Sequence, residues 1–287
     1  TYDGYNNNAD TGTSFALGGC PTTYHGNQLY EGGINEVLIF NGFLTDVEVA
    51  KVNYYLSRKW GLESTIDSDG DFYSDEIEMN EGTSPIDSDD YPITDFSDSV
   101  DALIGQQSEL SDELEASISL WLDAASVDGV GNVGATDNMV VSTWVDLSGD
   151  LNHAVGWGSS WSSPSLIDRS GTYWLNFDAE DALMSTITDI ESSSDSTIFM
   201  VVNRQGEGSN SGSALLSNID ASMETGSIDF GSSSGTNIIR FSGDGVESII
   251  SDFEWGQDNL FTLMNDSDLP TNNAVYINAI KSGLVSV

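Results

Sequence analysis

Apolar residues along most of this chain come in short runs that are bounded by clusters of Gly, Ser, Asn and Asp. Short apolar runs rich in β-branched residues and flanked by turn residues are typical of β-strands. The runs do not alternate with helices, which argues against folds built from βαβ units. The pattern therefore predicts a mostly β protein, an antiparallel β-sandwich. The predicted strands are residues 34–40, 120–123, 140–146, 173–178, 197–203, 214–217, 238–242, 259–264 and 274–278.

One segment near the start of the chain has the pattern of an amphipathic helix. Apolar residues recur at helical spacing from Val49 onwards, and basic residues lie in the last turn, where cations suit the helix dipole. Thr45 and Glu48 have the spacing of a capping box, and Gly61 is a typical residue at a helix end. We predict a helix between Thr45 and Gly61, and a shorter helical stretch at about residues 99–115.

The chain is strongly acidic. Its 287 residues include 47 Asp and Glu against 7 Lys and Arg, which gives a formal net charge of −40. Such a surface repels nucleic acids and anionic bilayers, and no stretch approaches the ~20 apolar residues that cross a bilayer. We expect neither nucleic-acid binding nor membrane insertion. Because so many acids repel one another in the folded state, we expect divalent cations to neutralise part of the charge.

Composition divides the chain into three regions. Residues 1–62 combine loops rich in Gly, Asn and Thr with a predicted strand and the predicted helix. Residues 63–97 form an acidic connector that contains no Lys or Arg. Residues 98–287 carry the long series of predicted strands. Since Cys20 is the only cysteine, no intrachain disulfide can form.

The acids of the connector are spaced rather than scattered. Residues 67–78 place carboxylates at positions 1, 3, 5, 9 and 12 of a twelve-residue segment, which is the spacing of a calcium-binding loop. Alternating acids in a tight loop can turn inward together and supply the oxygens that calcium needs. Phe72 stands where such loops usually have Gly, so a regular helix-flanked hand is not expected. The predicted ligands of Ca2+ are Asp67, Asp69, Asp71, the Tyr73 carbonyl, Asp75 (directly or through water) and Glu78 (with both oxygens).

The residues that follow the loop make this pattern more specific. Residues 80–89 read Asn-Glu-Gly-Thr-Ser-Pro-Ile-Asp-Ser-Asp. Together with the loop, they resemble the thrombospondin type 3-like calcium repeats of bacterial surface proteins, in which a short acidic helix and a Gly-Thr-Asp-Pro turn follow the Asp-rich loop. The resemblance implies a rigid, calcium-stiffened spacer between domains. Ser84 replaces the Asp of the turn, and Asp87 and Asp89 are the candidate ligands of a second ion.

Segments on both sides of the connector carry motifs of a second kind. Leu-Trp-Leu-Asp-Ala at 120–124, Trp-Val-Asp-Leu-Ser-Gly at 144–149 and Ala-Val-Tyr-Ile-Asn at 274–278 resemble the opening and a late strand of laminin G-like (concanavalin A-like) jelly rolls of the bacterial type. Residues 33–40 and 44–62 resemble the last strand and the closing helix of the same family. The resemblance implies an antiparallel jelly-roll sandwich with one closing helix.

The order of these segments is inverted. The end of the family pattern lies in residues 1–62, and its beginning and middle lie in residues 117–287. A sandwich without its last strands exposes an apolar edge and an open core, so neither piece should be stable alone. Residues 1–62 could complete their own chain, as in a circular permutation, or the next chain of a polymer, or the chain could be one period of a tandem array. We favour donation between neighbouring subunits or repeats, which generates a filament when it is repeated head to tail.

Signals for catalysis are weak. Glycoside hydrolases on related jelly rolls usually carry Glu-x-Asp-x-x-Glu on one strand, and that spacing is missing here. The histidines are only His25 and His153, and a Ser/Gly-rich segment that fits a hydrolase pattern by letter lacks the context of one. We therefore predict that the protein is not an enzyme.

The sequence thus predicts an extracellular or cell-surface structural module, which assembles with copies of itself into a calcium-stabilised fibre, sheath or adhesin. The alternative is a calcium-dependent lectin module with glycans as partners. Members of the family often bind glycans at loops that combine calcium with an Asn or Asp and an exposed aromatic ring. The candidate glycan-binding residues are Trp157, Trp161, Asp168 and Tyr173.

Overall fold

The strands and helices follow one another in an order that the sequence pattern largely anticipates. The computed structural model describes residues 15–20, 28–92, 110, 112–156, 162–169, 171–178, 181–185, 195–204, 213–218, 225–233, 236–243, 246–247, 256–265 and 274–284. The helices are α1 Asp46–Trp60, α2 Asp75–Glu81 and α3 Asp112–Glu115, with a 3-10 turn at Ala124–Ser126. The strands are β1 Phe15–Leu17, β2 Gly19–Cys20, β3 Gln28–Leu29, β4 Glu31–Asn41, β5 Ile118–Asp123, β6 Met139–Val140, β7 Thr143–Trp144, β8 Ala154–Gly156, β9 Ser165–Arg169, β10 Thr172–Asp178, β11 Leu183–Ser185, β12 Ser196–Arg204, β13 Ser213–Asn218, β14 Thr225–Ser233, β15 Thr236–Gly243, β16 Val246–Glu247, β17 Asp258–Asn265, β18 Ala274–Ile277 and β19 Ile280–Leu284.

Two large antiparallel sheets make up most of the described chain, so the protein is mostly β, as predicted. The eight-stranded sheet has the order β16-β15-β14-β13-β1-β11-β8-β7, and the nine-stranded sheet has the order β19-β18-β17-β12-β4-β10-β9-β6, with β5 paired to β4 beside this path. Buried residues of both sheets belong to one hydrophobic cluster, which includes Leu17, Trp144 and Leu183 from the first sheet and Val37 and Leu263 from the second. The two sheets therefore form a sandwich-like core.

Strand β4 lies in the middle of the nine-stranded sheet. It is 11 residues long, and all of its residues between the exposed ends Glu31 and Asn41 are buried. A strand buried on both faces is expected to be apolar almost throughout, and its sequence is Glu-Gly-Gly-Ile-Asn-Glu-Val-Leu-Ile-Phe-Asn. It pairs with β12 along its length, with β10 at its first half and with β5 at its second half.

The N-terminal region completes the sandwich of its own chain. Strand β4 separates β12 from β10, and β1 separates β13 from β11, so both are flanked by strands from the C-terminal region. This is the intramolecular arrangement among the three that the inverted order allows. Donation to a neighbouring chain, which the sequence analysis favours, is not what this chain does by itself, and exchange of the same contacts between chains stays a prediction.

Helix α1 packs on the nine-stranded sheet. Both hydrogen bonds of the predicted capping box between Thr45 and Glu48 are present, and Gly61 ends the helix in the left-handed conformation with a φ of 68°. The hydroxyl of Thr262 on β17 donates to Oδ1 of Asn53 over 3.1 Å, in a buried position. The predicted closing helix is therefore confirmed as a helix, and its buried side rests on the sheet.

One buried glutamate joins α1 to the sheet. Glu36 of β4 is fully buried, and its carboxylate accepts hydrogen bonds from Tyr55 Oη (3.1 Å), Lys59 Nζ (3.1 Å), Trp60 Nε1 (2.7 Å) and Trp121 Nε1 (2.8 Å). Burial raises the pKa of Glu36, and the charge of Lys59 opposes that rise. These four donors offset the cost of burying the carboxylate. Because three of them lie on α1, they also hold the helix against the sheet.

One expectation about elements needs correction, and a second falls mostly outside the described residues. The predicted strand 140–146 is two short strands, β6 and β7, which lie in different sheets because the chain crosses the sandwich between them. Of the helical stretch predicted at 99–115, the structure shows the helix Asp112–Glu115, and residues 99–109 lie outside the described part. The described chain also contains strands that we did not predict, among them Ser165–Arg169 and Thr225–Ser233, because their polar residues give little strand signal.

Candidate metal centre

The acidic loop lies between α1 and α2, and its first aspartate organises the backbone. The carboxylate of Asp67 accepts hydrogen bonds from the backbone N–H groups of Gly70 (2.8 Å), Asp71 (3.2 Å) and Phe72 (2.8 Å). Gly70 and Phe72 have positive φ values of 80° and 82°. Phe72 thus adopts the backbone conformation that explains why Gly is usual at this position, and its side chain is 96% exposed.

Three predicted ligands converge on one point. Asp67, Asp69 and Asp71 each offer a carboxylate oxygen, and these oxygens lie within 4.8 Å of one another. Calcium–oxygen distances are ~2.4 Å, so two ligands on opposite sides of one ion are about 4.8 Å apart. The loop therefore holds the three carboxylates at a spacing that fits a single ion.

The same place contains carboxylate oxygens that have no hydrogen-bond partner. Both oxygens of Asp69, Oδ2 of Asp71 and both oxygens of Glu78 are buried and unpartnered. Glu78 is fully buried, although it lies on the short helix α2 and carries a charge when ionised. Buried carboxylates without donors are costly unless a cation or a proton neutralises them. A metal ion would supply that partner.

The electrostatics of the loop point the same way. Burial raises the pKa of Glu78 to about 9, and the charges of Asp69, Asp71, Asp75 and Asp67 add to the rise. Burial and the charges of Asp71 and Asp67 raise the pKa of Asp69 to about 7, and burial also raises the pKa of Asp71. The protein alone therefore opposes full ionisation of the group, and a bound cation would favour it.

Asp75 makes hydrogen bonds that its spacing does not predict, and its role as a ligand stays a prediction. Its Oδ1 accepts from the backbone N–H of Ser68 (2.9 Å), and its Oδ2 accepts from the Ser68 hydroxyl (2.9 Å) and from the hydroxyl of Ser57 on α1. Burial raises its pKa to about 6, and these hydrogen bonds oppose the rise. The structure brings Asp75 beside the acidic loop but uses both of its oxygens to bind serines. Spacing alone could not reveal this, because Ser57 lies outside the motif.

The remaining predicted ligands have less direct support. The backbone N–H of Tyr73 donates to Oδ1 of Asp71 (2.8 Å), and the Tyr73 ring stacks on Tyr91, with 6.5 Å between centroids and 2° between planes. Its carbonyl as a ligand stays a prediction. Asp87 and Asp89 are exposed and joined by a backbone-to-carboxylate hydrogen bond of 3.3 Å. In the described part of the chain they belong to no group of three acids that could hold an ion, so a second site also stays a prediction.

Two of the four candidate glycan-binding residues can be placed. Asp168 and Tyr173 are directly opposite each other on β9 and β10, with Asp168 exposed and Tyr173 partly buried against the core. Oδ1 of Asp168 accepts from the backbone N–H of Gly171 (2.7 Å), which is a turn contact. Trp157 and Trp161 lie outside the described residues. Sugar binding by these residues stays a prediction.

Comparison with known proteins does not identify a family for this chain, so its class is defined from the fold and the acidic loop. No family model matches the chain, and neither a curated protein nor a solved structure matches it. Among the described helices, none is both long and apolar enough to span a bilayer. The class of protein that the structure defines is a mostly β, sandwich-like protein with an acidic loop attached to its surface helix.

Proposed function

We propose that this chain is a non-enzymatic extracellular structural module that a calcium ion in the acidic loop stabilises. The observation that carries the proposal is the group of Asp67, Asp69 and Asp71, whose oxygens lie within 4.8 Å of one another, beside the fully buried and unpartnered carboxylate of Glu78. Four acids in one place destabilise a folded chain unless a cation joins them.

The chemistry of these side chains favours calcium among the common cations. The group offers only oxygen atoms, which suit hard cations, whereas zinc and copper prefer nitrogen and sulfur ligands. Magnesium demands near-octahedral geometry and retains several waters, while calcium accepts an irregular set of carboxylates. The irregular loop with Phe72 at its tip fits the more tolerant ion.

The proposed location and architecture extend this inference. A net charge of −40 is compatible with a medium that is rich in divalent cations, such as the outside of a cell, where calcium sites of modest affinity are occupied. The laminin G-like motifs and the thrombospondin type 3-like repeat remain the proposed relationships of the sandwich and of the connector. Assembly into a fibre, sheath or adhesin would require residues 1–62 to form their intramolecular contacts with a neighbouring copy instead.

Calorimetry and thermal unfolding test the calcium site directly. We expect saturable binding of calcium to the full chain and an increase in stability of about 2.7 kcal/mol at a calcium concentration of about 100 times the Kd. Asp69→Asn combined with Asp71→Asn should abolish both effects, since it removes two converging carboxylates. The matched control is Asp112→Asn with Glu113→Gln, two exposed acids away from the loop, which changes the net charge equally. Equal calcium responses in the two double variants, or no response in the wild type, would refute the site.

A further inference from the structure

The acidic loop is hydrogen-bonded to α1 through Asp75, which accepts from Ser57. We infer that calcium binding in the loop and the docking of α1 on the nine-stranded sheet are energetically coupled, with Asp75 as the positioning residue that joins them. The inference rests on the proposed function, because it assigns a regulation to the same site. The connector would then act as a calcium-dependent clamp on the helix that closes the sandwich.

The first contact between loop and helix is the buried carboxylate of Asp75. It accepts from the hydroxyl of Ser57 in the last turns of α1, and from both the hydroxyl and the backbone N–H of Ser68 within the loop. The backbone N–H of Asp75 also donates to the carbonyl of Ile66 over 2.8 Å, and Ile66 is fully buried in the core. One side chain thus ties the loop, the start of α2 and α1 together.

The second contact lies one helical turn away. Arg58 donates to the Tyr54 hydroxyl (3.1 Å), and both Tyr54 and Arg58 contact the sulfur of Met79 on α2, at 3.6 and 3.5 Å. Since Glu78 precedes Met79, the helix that carries the unpartnered carboxylate is held against α1 at two points. Any movement of α2 would therefore act directly on α1.

The same helix is also hydrogen-bonded to the sheet. Asn53 accepts from Thr262 of β17, and Trp60 donates to Glu36 of β4. Ser57 lies between these two residues along the helix. A continuous set of contacts therefore leads from the calcium ligands through Asp75 and Ser57 to the central strand of the sandwich.

The physical reason for coupling is the repulsion among the carboxylates of the loop and α2. Without an ion, both oxygens of Asp69, Oδ2 of Asp71 and both oxygens of Glu78 have no donor, and repulsion among these carboxylates favours an opened loop and a displaced α2. With an ion, the loop and α2 are drawn together in the arrangement that places Asp75 against Ser57. By thermodynamic linkage, a contact that is favoured by calcium must in turn favour calcium binding by the same factor.

Substitution of Ser57 tests the coupling in the full-length protein. Ser57→Ala leaves every proposed ligand intact, and we expect it to weaken calcium binding at least ~5-fold by calorimetry. Ser64→Ala, at an exposed serine of the same segment, should leave the affinity unchanged. If Ser57→Ala does not fold, Tyr54→Phe, which removes only the hydroxyl that meets Met79, provides the same comparison with a smaller expected loss.

Hydrogen exchange of the α1 amides measures the coupling locally, because a change in stability in another part of the protein would not alter the effect of calcium on α1. Calcium should slow exchange of the α1 amides in the wild type, and the slowing should be largely lost in Ser57→Ala. Asp75→Asn should lower the calcium affinity less than Asp69→Asn does. In the Asp75→Asn protein, the additional Ser57→Ala change should lower that affinity little further.

The outcomes separate the two proposals. Calcium binding that is equal in Ser57→Ala and Ser64→Ala, or α1 exchange that calcium leaves unchanged, would overturn the coupling while leaving the calcium site standing. A loss in Asp75→Asn as large as that in Asp69→Asn would make Asp75 a ligand and would overturn its positioning role. Absence of calcium binding to the wild type would overturn both.

Discussion

Two fully buried glutamates show how surroundings decide what an ionisable residue does. Glu36 is surrounded by hydroxyl, ammonium and indole donors, so its carboxylate is satisfied within the protein. Glu78 is buried to the same extent, but neither of its oxygens has a donor. The first residue therefore stabilises a fold that can form without a cation, whereas the second needs a cation or a proton.

The carboxyl groups of the acidic loop and α2 predict that the calcium-free protein becomes less stable as the pH rises. In the folded state the pKa values of Glu78, Asp69 and Asp75 are about 9, 7 and 6, whereas carboxyl groups of unfolded chains titrate near pH ~4. Between the pKa of each group in the unfolded chain and its higher pKa in the folded state, the folded protein binds more protons than the unfolded chain. The stability of the folded state therefore falls as the pH rises through this range. We expect the melting temperature in chelator to be higher at about pH 5.5 than at about pH 8.

Calcium and a variant isolate the contribution of the loop to this dependence. Calcium should stabilise the protein more at the higher pH, because protons then compete less for the ligands. Asp69→Asn with Glu78→Gln removes the carboxyls with the two higher of these three pKa values, so the pH dependence of the variant in chelator should be flatter. A wild-type slope equal to that of the variant would contradict the assignment of the shifts to the loop.

At the scale of elements, α1 is the helix that contacts both the nine-stranded sheet and the acidic loop. Its local signals are strong, with a complete capping box and a left-handed glycine at its end, but its position is set by contacts on two sides. One side meets the sheet through Asn53, Tyr55, Lys59 and Trp60, and the other side meets the acidic loop and α2 through Tyr54, Ser57 and Arg58. A helix with these contacts can transmit changes in the loop to the sandwich.

Lys59 is the residue of α1 whose removal should most weaken docking on the sheet. Its ammonium group lies 3.1 Å from Glu36 and 2.8 Å from Asp123, so it joins β4 and β5 to the helix. Lys59→Met leaves two largely buried carboxylates without their counter-charge, and we expect a loss of about 3 kcal/mol in urea unfolding. Lys51→Met, on the exposed side of the same helix, is the control and should change stability by less than about 0.5 kcal/mol. Equal midpoints for the two variants would show that the ion pairs do not hold the helix.

At the scale of the whole molecule, the central question is which chain supplies β4. The structure closes the sandwich with the strand of the same chain, between β12 and β10. The proposed fibre would need the same pairing between neighbours, as in a domain swap. Both arrangements bury the same residues, so the difference between them lies in chain connectivity and concentration rather than in local contacts.

A disulfide trap distinguishes the two arrangements in the full chain. Glu31 of β4 and Asp178 of β10 are exposed and directly paired, so Glu31→Cys with Asp178→Cys in a Cys20→Ser background places two thiols across that pair. Oxidised assembled protein should give a ladder of covalent oligomers on a non-reducing gel if neighbours exchange β4. Single-cysteine variants serve as the control, since they cannot form ladders longer than a dimer. A covalently closed monomer as the only product would rule out exchange.

The parts of the structure that could be predicted from sequence are those encoded within a few neighbouring residues. The capping box, the glycine that ends α1 and the spacing of Asp67, Asp69 and Asp71 are local patterns, and the structure has all of them. The boundaries of β12 and β17 were also close to the predicted ones, because long apolar runs define them. The split of the predicted strand 140–146 was missed, since a crossing between sheets leaves no periodic signal.

The sequence by itself determined the fold class, the closing helix and the acidic group that could hold a cation, because strand and helix periodicity, capping and ligand spacing act over short separations. Only the tertiary structure decided that β4 completes its own sandwich, that Glu36 receives donors from α1 and β5, and that Asp75 accepts hydrogen bonds from Ser57 and Ser68. These contacts join segments that are distant in sequence or lie outside any motif. Their partners are selected by how the sheets and helices pack, which no local pattern records.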